Sequence, residues 1–378
     1  MKRYNVDYPS FVLEEGLLKS NIQRIDEIQK RADIKILLAL KAFSTWPVFD
    51  LFRGAFDSCT ASGPWEAKLG HTEMGALSHT YSPAYCDRDF QEVMDHSSHI
   101  IFNSISQFDQ FYDRIKLHSH PISIGLRVNP GYSPVKTDLY NPCAAESRLG
   151  MVASSLPDEL PNGVEGLHFH ALCESNSFDL EKILFSFEKL YAKYLPNIKW
   201  VNMGGGHLIT HNDYDGDHLI SVLKAFKERW GVKVYLEPGS AFAWQTGVLV
   251  ANVVDVINHP DKKTAILDVS FTAHMPDCLE MPYQPEIRGA KTEQMVDGYC
   301  YKMGGNSCLA GDVLGDWWFD HLLKIGEQII FEDMIHYTTV KTTFFNGVKH
   351  PDLVIEGMDG HLKVLRHFTY EDFKSKLG

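Results

Sequence analysis

Four places in this sequence set reactive side chains where reactivity would count. Lys41 follows the apolar run at residues 36–40. An amine at the end of a buried strand is penalised as a cation, so its pKa falls and the neutral form can attack an aldehyde, as a Schiff-base lysine does. A strand-end lysine that merely reaches solvent would look the same. His168 and His170 alternate in GLHFHAL, so on a strand they share a face. They could ligate one metal, as in barrel hydrolases; one imidazole could stack on a flat cofactor; or either could be a satisfied core histidine. Gly204, Gly205 and Gly206 can bring backbone N–H groups close to an anion, or form a plain turn. Glu237 precedes Pro238 and Gly239, where a strand must stop. A carboxylate there can hold a pyridine nitrogen protonated, or act as a cap or an ion-pair partner.

The elements that must position these residues are legible as an alternation. Eight short apolar runs read as strands: KILLALKA, FDSCTAS, ALSHTYS, HIIFNS, ISIGLRVNP, GLHFHAL, KWVNMGGG and KVYLEPGSA. Helical patterns lie between most of them. Ser20 is expected to cap a helix carrying Ile22, Ile25 and Ile28, and Pro47 stands early in the next helical stretch. LEKILFSFEKLYAKYL and GDHLISVLKAFKERW are further helices, the latter ending before Gly231. Eight such units in about 240 residues predict a (β/α)8 barrel over 10–241. An open doubly wound sheet is the weaker alternative, because the first strand lacks a GxGxxG turn. From 242 to 378 the texture becomes β-rich, with strand-like runs VLVANVVDVI, TAILDVS, EQIIFED, HYTTVKTTFF and DLVIEG and a final helix in YEDFKSKL. A second, β domain is expected there, joined by residues 1–9. In a barrel, function gathers at the C-terminal ends of the strands, which is where Lys41, His168, His170, the glycine run and Glu237 fall.

Composition narrows the classes. The formal charge of −13 over 378 residues argues against nucleic acid as a partner and is compatible with a cationic substrate. No apolar run approaches the roughly 20 residues a membrane helix needs. Residues 1–10 carry charge and Pro9 but no apolar core, unlike a signal peptide. The seven cysteines form no CxxC pair, which disfavours a zinc ribbon and leaves no expected metal. Reduced thiols in the cytoplasm are the expectation.

Nine runs in order, LLALKAF, CTASGPWEAKLG, HTYSPA, HIIFNS, GLHFHALCE, VNMGGGH, YLEPGSA, SCLAGD and HYTTVKTTFFNG, resemble the fold-type III pyridoxal-phosphate decarboxylases, the ornithine and diaminopimelate decarboxylase superfamily. Within it the resemblance is to carboxynorspermidine/carboxyspermidine decarboxylases of polyamine biosynthesis. It implies pyridoxal 5'-phosphate on Lys41, His170 stacked on its ring, Gly204, Gly205, Gly206 and Tyr337 at its phosphate, and Glu237 at the pyridine nitrogen, facing substrate. It implies Cys308 as the proton donor after CO2 leaves, supplied by the other subunit of a homodimer. Asp277 would meet the distal amine of the substrate, with Asp312 and Glu280 as further candidates.

Three departures stand out. Ser240 replaces the arginine that ornithine-type enzymes carry after EPG. Leu309 replaces the glutamate of the diaminopimelate loop. Leu172 and Cys173 stand where ornithine-type enzymes have a small residue and serine. The competing readings are a diaminopimelate or other basic amino-acid decarboxylase, a racemase of the same fold, a metal-dependent barrel hydrolase and a non-catalytic cofactor-binding regulator.

Overall fold

Alternation of apolar strands and amphipathic helices closes a barrel. The computed structural model describes residues 2–378 except 138, 139, 261 and 282, so Met1, read above as part of the N-terminal segment, lies outside the described residues. The chain divides into two units, Asn21–Phe242 and Met1–Ser20 with Ala243–Gly378.

In the first unit all eight expected runs are parallel strands. The first is broken at Leu37 into Lys35–Ile36 and Leu38–Ala39. The others are Cys59–Ala61, Ser78–Tyr81, Ser97–Phe102, Ser123–Arg127, Val164–His168, Trp200–Asn202 and Lys233–Leu236. The break lets the first strand serve both neighbours. Leu37 and Ala39 donate to Leu236 O and Pro238 O, while Leu38 and Leu40 donate to Ser58 O and Thr60 O. That double pairing closes the sheet, leaving no edge strand. Inside, Trp200 demands space. A Cβ on Gly125 or Gly166 would come within 2.3 or 2.1 Å of its indole, so both strands carry glycine at that level.

Helix Gly216–Trp230 behaves as its sequence predicts: Asp215 accepts from the His218 N–H at its start, and Gly231 caps its end at φ 66°. Ser177–Tyr191 is the helix expected from LEKILFSFEKLY, opened by Asn176. Pro47 opens a 3-10 helix, Trp46–Phe52. Ser20 is not a cap. It lies inside helix Glu15–Ala32 and returns its hydroxyl to Gly16 O at 2.9 Å.

The second unit is a mixed eight-stranded sheet. Its spine is the 12-residue strand Gly247–Asn258. The start of this strand pairs with Ser10–Glu14 and Gln328–Glu332, and after a register shift at residues 253–255 its end pairs with Lys263–Leu267. Ser10–Glu14 therefore belongs to this sheet, where it also runs parallel to Asp352–Glu356. Tyr4, Val12, Val248, Val250, Ile330 and Val354 form its core. Beyond residue 242, three strands, Tyr299–Gly304, Val313–Phe319 and Leu362–Arg366, lie outside the expected runs.

HYTTVKTTFF is not a strand. Tyr337–Val340 forms one helical turn and Phe345–Gly347 a 3-10 turn. The threonines explain this: Thr339 Oγ1 donates to Ile335 O at 3.0 Å and Thr342 Oγ1 to Thr339 O at 3.5 Å, so these hydroxyls bond locally and override the β-branched preference, while Thr338 Oγ1 reaches across to Asp277 at 2.8 Å. No helix among the described residues is long and apolar enough to cross a membrane.

Candidate active site

Lys41 sits in the turn that ends the first barrel strand, where the amides of Ala42 and Phe43 donate to Ala39 O. The residues before it are buried, yet solvent reaches the Lys41 side chain. Protein crowds this recess. Burial lowers the pKa of the ammonium and the Arg127 guanidinium lowers it further, against the pull of Glu237 and Glu66. The shift brings the neutral, nucleophilic amine within easier reach.

Glu237, at the end of the eighth strand, is buried. Asn202 Nδ2 donates to its Oε1 at 2.7 Å, and His168 Nε2 lies 3.4 Å from its Oε2. Burial works to raise its pKa, but His168, Asn202 and Lys41 outweigh burial and hold the carboxyl below its ordinary range. His168 is pushed down chiefly by burial, so it is neutral and meets Glu237 as an Nε2–H donor. Its ring stacks on Tyr81, with centroids 5.5 Å apart.

His170 takes the Gly205 N–H on Nδ1 at 2.8 Å, which leaves the proton of the neutral ring on Nε2. Burial, then Lys41 and Arg127, hold its pKa well below the usual value of 6.5. The result is a flat neutral ring on a partly exposed residue.

The glycine turn is a matter of close approach. Gly204 and Gly206 stand at φ 69° and 90°. A Cβ on Gly205 would lie 2.2 Å from Glu237 O, and one on Gly206 2.2 Å from Leu172 O, so only glycine threads between the ends of strands six and eight. Two of these amides are already engaged, Gly204 N–H by Asn202 Oδ1 at 2.9 Å and Gly205 N–H by His170. Gly206 N–H has no protein acceptor among the described residues and is the amide open to an anion.

Arg127 is the residue that sequence reasoning missed. It ends the fifth strand, is 4% exposed, lies over the Tyr81 ring at 4.4 Å and donates to His170 O at 3.3 Å. A charged residue closing the apolar run ISIGLR at the functional end of a barrel strand was the available signal. Glu66, inside CTASGPWEAKLG, was also passed over. It accepts the Ser62 N–H at 2.6 Å, and burial raises its pKa.

The remaining expected residues belong to the other unit. Cys308 is exposed. Asp277 is buried, with Oδ2 accepting from Thr338 Oγ1 at 2.8 Å and Tyr283 OH at 3.3 Å, while Oδ1 has no partner among the described residues. Asp312, expected to face substrate, is occupied elsewhere. Its Oδ1 accepts from the amides of Phe271 and Thr272, its Oδ2 from that of Ser307, and it is 3% exposed. Glu280 pairs with Lys341. Tyr337 opens the one-turn helix Tyr337–Val340. Trp317 and Phe319 are buried packing residues.

His168 and His170 do not form a metal centre. The first is bound to Glu237 and the second to Gly205, and no cluster of three or more His, Cys, Asp or Glu suited to a metal occurs among the described residues. The donor set fits pyridoxal phosphate instead. It offers an amine of lowered pKa for the aldehyde, a buried carboxylate for the ring nitrogen, a neutral imidazole for the ring face and an open glycine amide for the phosphate.

Comparison with known proteins agrees. Residues 48–335 match the family model "Pyridoxal-dependent decarboxylase, C-terminal sheet domain". The chain is 48% identical to a carboxyaminopropylagmatine decarboxylase of Synechocystis, covering 98% of this chain and 95% of that one. It is 42% identical to a carboxynorspermidine/carboxyspermidine decarboxylase of Campylobacter jejuni, covering 97% and 98%. A crystal structure of carboxynorspermidine decarboxylase complexed with norspermidine, from Campylobacter jejuni, superposes with a TM-score of 0.91 at 40% identity, over 98% of this chain and 100% of that one. The chain thus belongs to the pyridoxal-dependent decarboxylases, and it is a carboxy-lyase that works with pyridoxal 5'-phosphate.

Proposed function

We propose that the enzyme decarboxylates carboxynorspermidine or carboxyspermidine, releasing norspermidine or spermidine and CO2. The observation that carries this reading is full-length similarity, in sequence and in structure, to enzymes of those names. The net charge of −13 suits a substrate with several amines.

Bound pyridoxal phosphate supplies an electron sink for the carbon that loses CO2. The chain's residues hold and tune it. Lys41 would hold the cofactor through its aldehyde. Glu237 would face the pyridine nitrogen and keep it protonated, and Asn202 and His168 keep Glu237 ionised and still. His170 would stack on the ring. Gly204 and Gly205 allow close approach, and Gly206 and Tyr337 would hold the phosphate.

Cys308 Sγ holds the proton that takes the place of CO2, and we read it as reaching the site of a second copy of the chain. Asp277 is the carboxylate for the distal cation, because an unsatisfied buried carboxylate oxygen is costly until a donor meets it. A working thiol at an exposed position suits the reducing cytoplasm.

The 48%-identical relative favours a second reading, carboxyaminopropylagmatine, whose far end is a guanidinium in place of an ammonium. The test is CO2 release from carboxynorspermidine, carboxyspermidine, carboxyaminopropylagmatine, diaminopimelate, ornithine, lysine and arginine. The expected outcome is a kcat/KM for the first two at least about tenfold above the rest. Preference for the agmatine compound would install the second reading. Release only from diaminopimelate or ornithine would overturn both.

A further inference from the structure

The loop at residues 305–312 joins strands Tyr299–Gly304 and Val313–Phe319 and carries Cys308 at its exposed tip. An exposed loop of this kind ordinarily leaves its amides to water. Here five consecutive amides are engaged by protein. Gly305 donates to Asp312 O, Asn306 to Val269 O, Ser307 to Asp312 Oδ2, Cys308 to Asn346 Oδ1 and Leu309 to Ser307 Oγ. Two side chains outside the tip take the amides of Ser307 and of Cys308 itself. The Asp312 carboxylate ties Ser307 to the amides of Phe271 and Thr272, at 2.7 and 3.1 Å, and so fastens the loop to the start of a neighbouring helical turn. Asn346, 38 residues away in sequence, takes the amide of Cys308 itself at 2.8 Å.

Asn346 is itself held in an unusual way. It stands at φ 59°, a left-handed conformation that asparagine tolerates better than most residues. Two positions before it, Phe344 packs against His350, Phe368 and Phe373. The backbone under the thiol is therefore fixed on both sides while the thiol points into solvent.

We propose that Asn346 and Asp312 are positioning residues for the Cys308 thiol, holding Sγ where it can hand its proton to the decarboxylated carbon. The proposal rests on the reading of Cys308 as proton donor. In that step the S–H bond breaks, a C–H bond forms with the electron pair left by CO2, and the thiolate regains a proton from solvent. A thiol on a loose loop would meet that carbon less often, without any change in how substrate binds.

The clean variant is Asn346→Gly, which keeps the left-handed backbone at ease and removes the acceptor. Asn346→Asp keeps an acceptor. Asp312→Asn replaces one oxygen by a donor, and where it fails to fold, Asn346→Gly still decides. In the cofactor-loaded enzyme, Asn346→Gly should speed hydrogen exchange of the 305–309 amides. It should lower kcat about ten- to a hundredfold with KM unchanged. Asn346→Asp should recover most of kcat. Added to Cys308→Ala, Asn346→Gly should cost nothing further, because it acts only through the thiol. Wild-type kcat in Asn346→Gly, or the same fold-loss in the Cys308→Ala background as in the wild type, would overturn the proposal while leaving Cys308 in its role. Full turnover in Cys308→Ala would overturn the reading of the thiol, and the proposal with it.

Discussion

Two pairs of histidines occupy the same barrel and are held in opposite ways. His168 and His170 lie at the ends of strands, tied to a carboxylate and to a glycine amide and crowded by Lys41 and Arg127. His79 and His99 lie within strands three and four and have rings for company. Their own rings stack with centroids 3.7 Å apart, and Tyr235 and Trp200 close around them at 4.7 and 5.4 Å. Burial drives all four neutral, with His99 pushed down to about 4. What separates the groups is the direct hydrogen bond. Beside Glu237 a neutral imidazole becomes a donor that fixes a carboxylate, and His170 accepts the Gly205 amide. The stacked pair meets mainly rings, and Glu165 acts on His99 only through space. Neither residue type nor burial distinguishes the two groups; what each ring bonds does.

The comparison is broken most severely at Glu237. Glu237→Gln keeps the shape and removes the charge, so CO2 release should fall by roughly 10²–10³-fold, on the scale of a lost preorganised electrostatic contact. Near-normal release would erase the distinction between the two groups.

The stacked pair sharpens the comparison through pH. Folded, these rings are neutral; unfolded, each takes up a proton near pH 6.5. Their contribution to stability is full above pH 6.5 and is lost as pH falls toward 4, because the unfolded chain binds the extra protons. For His99 alone this costs about 2 kcal/mol by pH 5. Urea unfolding at pH 7.5 and 5 should show that loss in the wild type and a smaller one in His99→Phe, with turnover at neutral pH little changed. Equal losses in the two proteins would remove His99 from the account.

The barrel was legible because each strand is a short apolar run followed by a helical period, and a closed parallel sheet imposes that alternation. The β-rich unit was less so. HYTTVKTTFF has strand propensity, but its threonine hydroxyls find local partners. Tyr299–Gly304 and Val313–Phe319 escaped notice because their apolar residues are interrupted by Lys302, Gly315 and Asp316. Lys41, His170, the glycines and Glu237 were expected at strand ends, and that is where the structure places them. Arg127 could not be weighed without seeing Tyr81 beneath it. Asp312, expected to meet substrate, also accepts amides at 271 and 272, some forty positions away, a contact no local pattern reports.

The account turns on Lys41 as the residue that carries the cofactor. The direct measurement is the absorption spectrum of the purified protein with pyridoxal phosphate, before and after borohydride, followed by mass analysis of its peptides. The predicted result is a visible band that borohydride abolishes, a reduced phosphopyridoxyl group on the peptide containing Lys41, and neither in Lys41→Ala. A protein that stays colourless with added pyridoxal phosphate, or one labelled at another lysine, would contradict it.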